Sequence, residues 1–133
     1  MNYHNFSDLI SRIKVAYRCN LISTKVLKNK MSINFLYLIF KIGLIRGFYI
    51  LENENNILVY LKYKNKKPTI FNIEVISKPS KRVYWSLNVL SKYYRKHAIS
   101  HFYIISTSNG LITSNDAILS RNISGEILCK IRI

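Results

Sequence analysis

The chain has 133 residues, 49% of them hydrophobic and 20% charged, which excludes a disordered polymer and leaves room for one ordinary domain or two small lobes. Its 21 Lys and Arg against 6 Asp and Glu leave a net charge of +15, a field that attracts polyanions, nucleic acid first and anionic membrane second. Divided at residue 75, the halves carry +8 and +7, which excludes a detachable basic tail.

In chain order, "MNYHNFSDLI" shows neither a basic region followed by a long apolar stretch nor an Arg-rich transit peptide, so no import signal is expected. "SDLISRIKVAY" predicts a helix with Ser7 as N-cap, Asp8 in its first turn, and Leu9, Ile10, Ile13 and Tyr17 on one apolar face. Arg12 and Lys14 then point elsewhere. A second helix is expected after Ser32, ending at Gly43 as a left-handed cap with Leu44 behind it. Within it, "INFLYLIFKIGLI" is interrupted by Lys41 and Gly43 and falls short of the ~20 residues of a membrane span, so it reads as a helix buried on several sides.

From Arg46 the texture becomes aromatic and β-branched. "RGFYIL", "ILVYLKY" and "TIFNIEVI", separated by the turn-like "ENENN" and "KNKKP", predict a three-stranded antiparallel meander. Pro79, serines and three basic residues in "SKPSKR", 77 to 82, mark a boundary between an N-terminal α/β lobe, 1–76, and a C-terminal β-rich lobe, 77–133. Beyond it follow a strand through Val83 and Tyr84, a short helix from Leu87 to Arg95, and strands at Phe102–Ile105, Leu111–Thr113 and Glu126–Ile131. A helical turn near Asp116 to Leu119 joins the last two. The fold class is α+β: two helices with a three-stranded antiparallel sheet, then a mainly β half with short helices.

Catalysis finds little support. Ser106, Thr107 and Ser108 lack a G-x-S-x-G elbow and a base, and acids are scarce, so no enzyme is expected. Cys19 and Cys129 lie far apart and read as two reduced, mostly buried thiols. His97 and His101, spaced to share a helical face, have no third ligand, so neither a metal nor a cofactor is implied. The run Lys62, Lys64, Lys66, Lys67 reads either as a solvated hairpin edge or as a phosphate contact. Lys78, Lys81 and Arg82 precede Tyr84 and Trp85, mixing cations with rings able to stack on bases; a core Trp beside a basic loop is the plainer reading. In "ISTSNGLI", residues 105 to 112, hydroxyls and a turn glycine put short donors and acceptors on a backbone that can come close to RNA, although by itself the stretch reads first as a turn.

"ISTSNGLITSNDAILSRNISGEILCKI" closely resembles the C-terminal signature of the small-subunit ribosomal protein S-eight family: S-T-S-x-G, an apolar-apolar-Thr strand, a short helix, then G-G-E and a closing strand. "ISKPSKRVY" is similar to that family's V-S-R-P-G-x-R-x-Y segment and "DLISRIK" to its D-x-L-T-R-I-R helix, so the likeness runs from about Asp8 to Lys130. It implies a two-lobed protein that binds an irregular helix in the central domain of small-subunit ribosomal RNA and helps that domain assemble beside neighbouring small-subunit proteins. Carried over by position, Ser106, Thr107 and Ser108 approach the RNA and Asn109 and Gly110 shape the turn. Ser124, Gly125 and Glu126 form the adjoining loop, where Glu126 braces the serine turn or accepts from a base. Lys78, Ser80, Arg82 and Tyr84 belong to the inter-lobe loop, and Arg12 and Lys14 to the first helix.

Five positions depart from the family pattern. Asn109 replaces a Lys, Ser124 and Asn122 replace glycines, and Lys78 and Ser80 stand for Arg and Gly, which changes a bidentate donor into a point charge. Membrane insertion and a small-molecule substrate are not expected. The rival from another class is a basic docking module that binds acidic proteins or anionic membranes by charge alone, with a hydrolase a distant third. An excess of Ile, Asn, Lys and Tyr, whose codons are AT-rich, points to an organelle-encoded mitochondrial ribosomal protein, with a plastid or an AT-rich bacterium as alternatives.

Overall fold

A computed structural model describes residues 3–97, 100–121 and 123–133. The chain forms two compact units, residues 1–70 and 71–133.

In the first unit, α1 (Tyr3–Arg18) places Phe6, Leu9, Ile10, Ile13 and Tyr17 at helical spacing, and all are buried. The helix starts earlier than expected, so Ser7 is inside it and is not its N-cap. Asp8 accordingly sits one turn from Arg12 and pairs with it at 2.9 Å, instead of meeting the helix dipole. The helix α2 (Lys30–Ile42) starts two residues before Ser32, because the Asn29 side chain accepts from the Ser32 amide at 2.8 Å and caps it. At the other end Gly43 has φ 97° and Leu44 donates its amide to Ile39, the cap expected from the sequence. Lys62 Nζ donates to the Gly43 carbonyl at 3.0 Å, which places one cation of the lysine run at the C-terminal end of α2.

β1 (Ser23–Leu27), β2 (Ile45–Leu51) and β3 (Asn56–Leu61) form an antiparallel sheet of order β1-β3-β2. Its Val26, Ile57, Val59 and Leu61 are buried, as are Phe35, Leu36 and Ile39 of α2, with the Phe6 and Phe35 rings edge to face at 5.4 Å. One side of α2 stays open, with Tyr37 and Phe40 exposed, where burial on several sides was expected. A two-strand ribbon, β4 (Tyr63–Lys64) with β5 (Lys67–Pro68), turns through Asn65 and Lys66, both at positive φ. Lys64, Lys66 and Lys67 there are exposed.

The expected meander is therefore wrong in its third strand. β1, a short stretch not anticipated as a strand, supplies the third ribbon of the first sheet. The strand within "TIFNIEVI", β6 (Asn72–Val75), instead pairs with the closing strand β9 (Glu126–Arg132) from Asn72↔Arg132 to Val75↔Cys129. That pairing is what carries residues 71–76 into the second unit.

The second unit holds an antiparallel sheet of order β6-β9-β7-β8, with β7 at His101–Thr107 and β8 at Gly110–Thr113. Helix α3 (Leu87–His97) and the turn α4 (Ser114–Asp116), which continues as a π-helical turn over Ala117–Arg121, accompany it. Leu90, Tyr103, Ile105, Ile112, Ala117 and Ile127 form its core cluster, with Trp85 packed alongside. Two buried hydroxyls finish the structure: Ser114 Oγ accepts from the Tyr103 amide at 3.1 Å, and Thr113 Oγ1 caps α4 from the Asp116 amide. Val83 and Tyr84 do not make a strand; Tyr84 forms a single bridge to Glu126. His101 lies in β7 and not on a helix with His97, so the two do not share a helical face.

Candidate nucleic-acid interface

The serine turn is a tight hairpin. Thr107 pairs with Gly110, leaving Ser108 and Asn109 as the loop. Positive φ falls on Gly110, at 107°, and not on Asn109, the arrangement in which an ordinary turn is followed by one left-handed residue. Thr107 Oγ1 accepts from the Asn109 amide at 3.2 Å and donates to the Gly110 carbonyl at 2.9 Å, so this hydroxyl locks the turn. Ser108, Asn109 and Gly110 are exposed, and Ser106 and Thr107 are half-buried.

Beside this turn runs the start of β9. Ser106 pairs with Glu126, and a β-carbon added to Gly125 would overlap the carbonyl oxygen of Ser106. The second glycine of the family pattern is thus required here by close backbone approach. Ser124 stands where the pattern has the first glycine. Its hydroxyl is buried and makes no hydrogen bond among the described residues. Glu126 is buried, lies opposite Ser106 in the strand pairing and has partners of its own. Asn122 lies outside the described residues.

A third segment lies along the other side of β9. Ile127 donates its amide to Val83 at 2.9 Å, Trp85 donates to Gly125 at 3.3 Å, and Tyr84 bridges Glu126. The basic loop 77–82 leaves β9 at Ser77 and returns at Val83. Ser77 Oγ closes its base by donating to the Ile127 carbonyl at 2.6 Å and accepting from the Val83 amide at 3.1 Å. Reciprocal backbone bonds between Lys78 and Lys81 tighten the loop, leaving Lys78, Ser80, Lys81 and Arg82 exposed at the surface. Sequence reasoning passed over Ser77, because a buried serine inside a polar, proline-containing stretch carries no signal of its depth.

The two adjoining aromatics part company. Tyr84 is 63% exposed, whereas Trp85 stacks on Tyr93 at 4.4 Å and meets Tyr103 edge to face. The plainer reading of Trp85 holds: one face of its ring is already occupied.

Three stretches that the chain separates, 78–84, 106–110 and 124–126, are therefore brought side by side on one end of the second sheet. Arg12 and Lys14 lie in the first unit on α1. Arg12 is held by Asp8 and by the Lys25 carbonyl at 3.3 Å; Lys14 is half-buried. Of the thiols, Cys129 is buried, but Cys19 is exposed, contrary to expectation, because it follows the last turn of α1 as the chain leaves the core. Among the described residues no three His, Cys, Asp or Glu side chains cluster as metal ligands, and no helix is long and apolar enough to cross a membrane.

Comparison with known proteins agrees with this architecture. The family model "Ribosomal protein S8" matches residues 4–132. The chain is 41% identical over 125 residues to the small ribosomal subunit protein uS8m of Acanthamoeba castellanii, covering 94% of this chain and 96% of that protein. It is 36% identical over 131 residues to uS8 of Rickettsia canadensis, with 96% of each covered, and 34% over 129 residues to uS8 of Syntrophus aciditrophicus, with 94% of each covered. The class is that of small-subunit ribosomal proteins. Within it, the chain belongs to the ribosomal protein S8 family.

Proposed function

We propose that this chain is a structural constituent of the small subunit of a mitochondrial ribosome and binds the central domain of its ribosomal RNA directly, supporting that domain's assembly. The mitochondrial assignment rests on the uS8m relative and on the AT-biased composition. What carries the RNA reading is the juxtaposition at the end of the second sheet. A hydroxyl-bearing turn, a glycine-tight loop and a basic loop with an exposed tyrosine converge there, although the chain separates them.

Each part has a chemical task. Ser106 and Ser108 offer hydroxyls to base edges and 2′-hydroxyls, and Thr107 holds the turn that presents them. Asn109 and Gly110 shape that turn, with Gly110 supplying the left-handed residue. Gly125 lets the loops close up, Ser124 brings a buried hydroxyl to the same place, and Glu126 braces the tip. Lys78, Lys81 and Arg82 neutralise phosphates around it, Ser80 sits at the loop's turn, and Tyr84 is free to stack. Arg12 and Lys14 contribute positive charge from α1.

The test is a Ser106→Ala/Ser108→Ala double variant, which spares the Thr107 lock. Its binding is compared on the central-domain helix of its own small-subunit RNA and on a regular duplex of equal length. The preference for the irregular helix should fall by about 10-fold, the ~1.4 kcal/mol expected of one or two lost hydrogen bonds. An unchanged preference would leave binding by charge alone.

A further inference from the structure

We infer that the outer edge of β2 is the seat of a second polypeptide: an extended, basic segment of a neighbouring protein that adds a strand to the first sheet. In the order β1-β3-β2, β2 is hydrogen-bonded on one side only, and at seven residues it is the longest edge strand of either sheet. A strand edge presents alternate N–H and C=O groups outward, and sequences normally guard such an edge with charge, proline or a covering element. β1, the opposite edge, is guarded, since Arg12 reaches across to its Lys25 carbonyl. β2 is not: after the irregularity at Ile45/Gly47 it reads Gly-Phe-Tyr-Ile-Leu without a charge or a proline.

A groove of about 720 Å³ follows this strand, lined by Phe48, Tyr49, Ile50 and Leu51 and then by Glu52, Asn53 and Glu54. Tyr49 is 64% exposed, and Phe48, Ile50 and Leu51 are half-buried, so apolar surface is available on both faces of the strand. That matches what an added strand needs, since its side chains alternate between the two faces while its backbone supplies the hydrogen bonds.

Charge selects the occupant. Glu52 and Glu54, at the end of the groove, are two of the 6 acidic residues in a chain of net charge +15; Glu54 pairs with Lys25 at 2.8 Å, and among the described residues Glu52 has no ion-pair partner. A phosphate backbone is repelled there, whereas Lys or Arg at one end of an extended peptide is attracted. A second copy of this chain is disfavoured by the mutual repulsion of two such charges. The occupant is thus a protein segment with alternating apolar residues and a basic end, which in this family's setting is a neighbour in the small subunit. This last step rests on the ribosomal reading given above.

The experiment uses small subunits assembled with the full chain. Hydrogen exchange of the backbone amides of residues 47–51 is measured in the free chain and in the subunit, and Tyr49 is replaced by the photo-crosslinking residue p-benzoylphenylalanine. Alternate amides in β2 should exchange at least about 10-fold more slowly in the subunit. The crosslink should join residue 49 to one extended, Lys- or Arg-containing peptide of another protein. A Glu52→Lys/Glu54→Lys variant should lower the yield of that adduct several-fold. Unchanged exchange, an adduct to RNA, an adduct to a second copy, or a yield indifferent to the charge reversal would each overturn the proposal. RNA binding by the free chain, measured on the same preparations, reports separately on the tip of the second unit.

Discussion

At the scale of single residues, Gly125 shows how the lack of a side chain can govern the proposed RNA-binding surface. A β-carbon there would collide with the Ser106 carbonyl, which is backbone and cannot swing aside. Gly125→Ala should therefore destabilise the fold by about 1–3 kcal/mol in urea titration and displace the serine turn, weakening RNA binding as well. Cys129 makes a different point. Burial pushes its thiol pKa far above the ordinary value, while a backbone hydrogen bond with Ile104 pulls slightly the other way. The folded state keeps the thiol neutral, so its contribution is fully present below the unfolded thiol's pKa of about 8.5 and is lost progressively as pH rises above it. Burial raises Tyr17 and Tyr103 in the same direction, which adds to the alkaline loss at higher pH. Stability from urea midpoints should fall above about pH 8.5, and Cys129→Ala should be less stable at pH 7 but show a shallower decline. Under native conditions a thiol reagent should modify Cys19 promptly and Cys129 only on unfolding.

Among the elements, α2 shows which sequence signals were sufficient. Gly43 followed by Leu44 was legible as the helix end because the left-handed cap depends on those two residues alone. The start was misplaced, since Ser32 and Asn29 are both competent caps and the choice went to the one whose side chain reaches the amide three residues on. Asn29→Ala should cost about 1 kcal/mol in thermal or urea unfolding, with little effect on RNA affinity, because the cap lies in the first unit and the serine turn in the second. In α1, likewise, the apolar stripe was correct and the Ser7 cap was not: the helix continues back to Tyr3, burying Phe6 against Phe35. Tertiary burial outweighed a local capping preference worth a kilocalorie or so. β7, β8 and β9 were all found near their actual places, as apolar runs bounded by turn residues should be.

Over the whole molecule, positive charge is spread through both units, so RNA binding should draw on contacts well beyond the hydroxyl-rich tip. If ~6 to 10 phosphates are neutralised, affinity for the cognate RNA should fall by about 10³ to 10⁵ between 50 and 200 mM salt, measured by titration at fixed temperature. A flat salt response would remove phosphate contact as a main source of affinity. The sequence by itself determined the α+β class, the basic character, the family and the residues of the serine turn, because each of these is written in composition or in contiguous motifs. Only the tertiary structure decided the strand partners: β1 took the place foreseen for β6, and β6 crossed to β9. The same level decided that residues 78–84, 106–110 and 124–126 share one end of a sheet, that Ser77 is a buried brace, and that Trp85 packs inward. The physical reason is common to all of these: strand pairing and side-chain burial are set by long-range partners, which compete for the same apolar segments and leave no mark in local spacing.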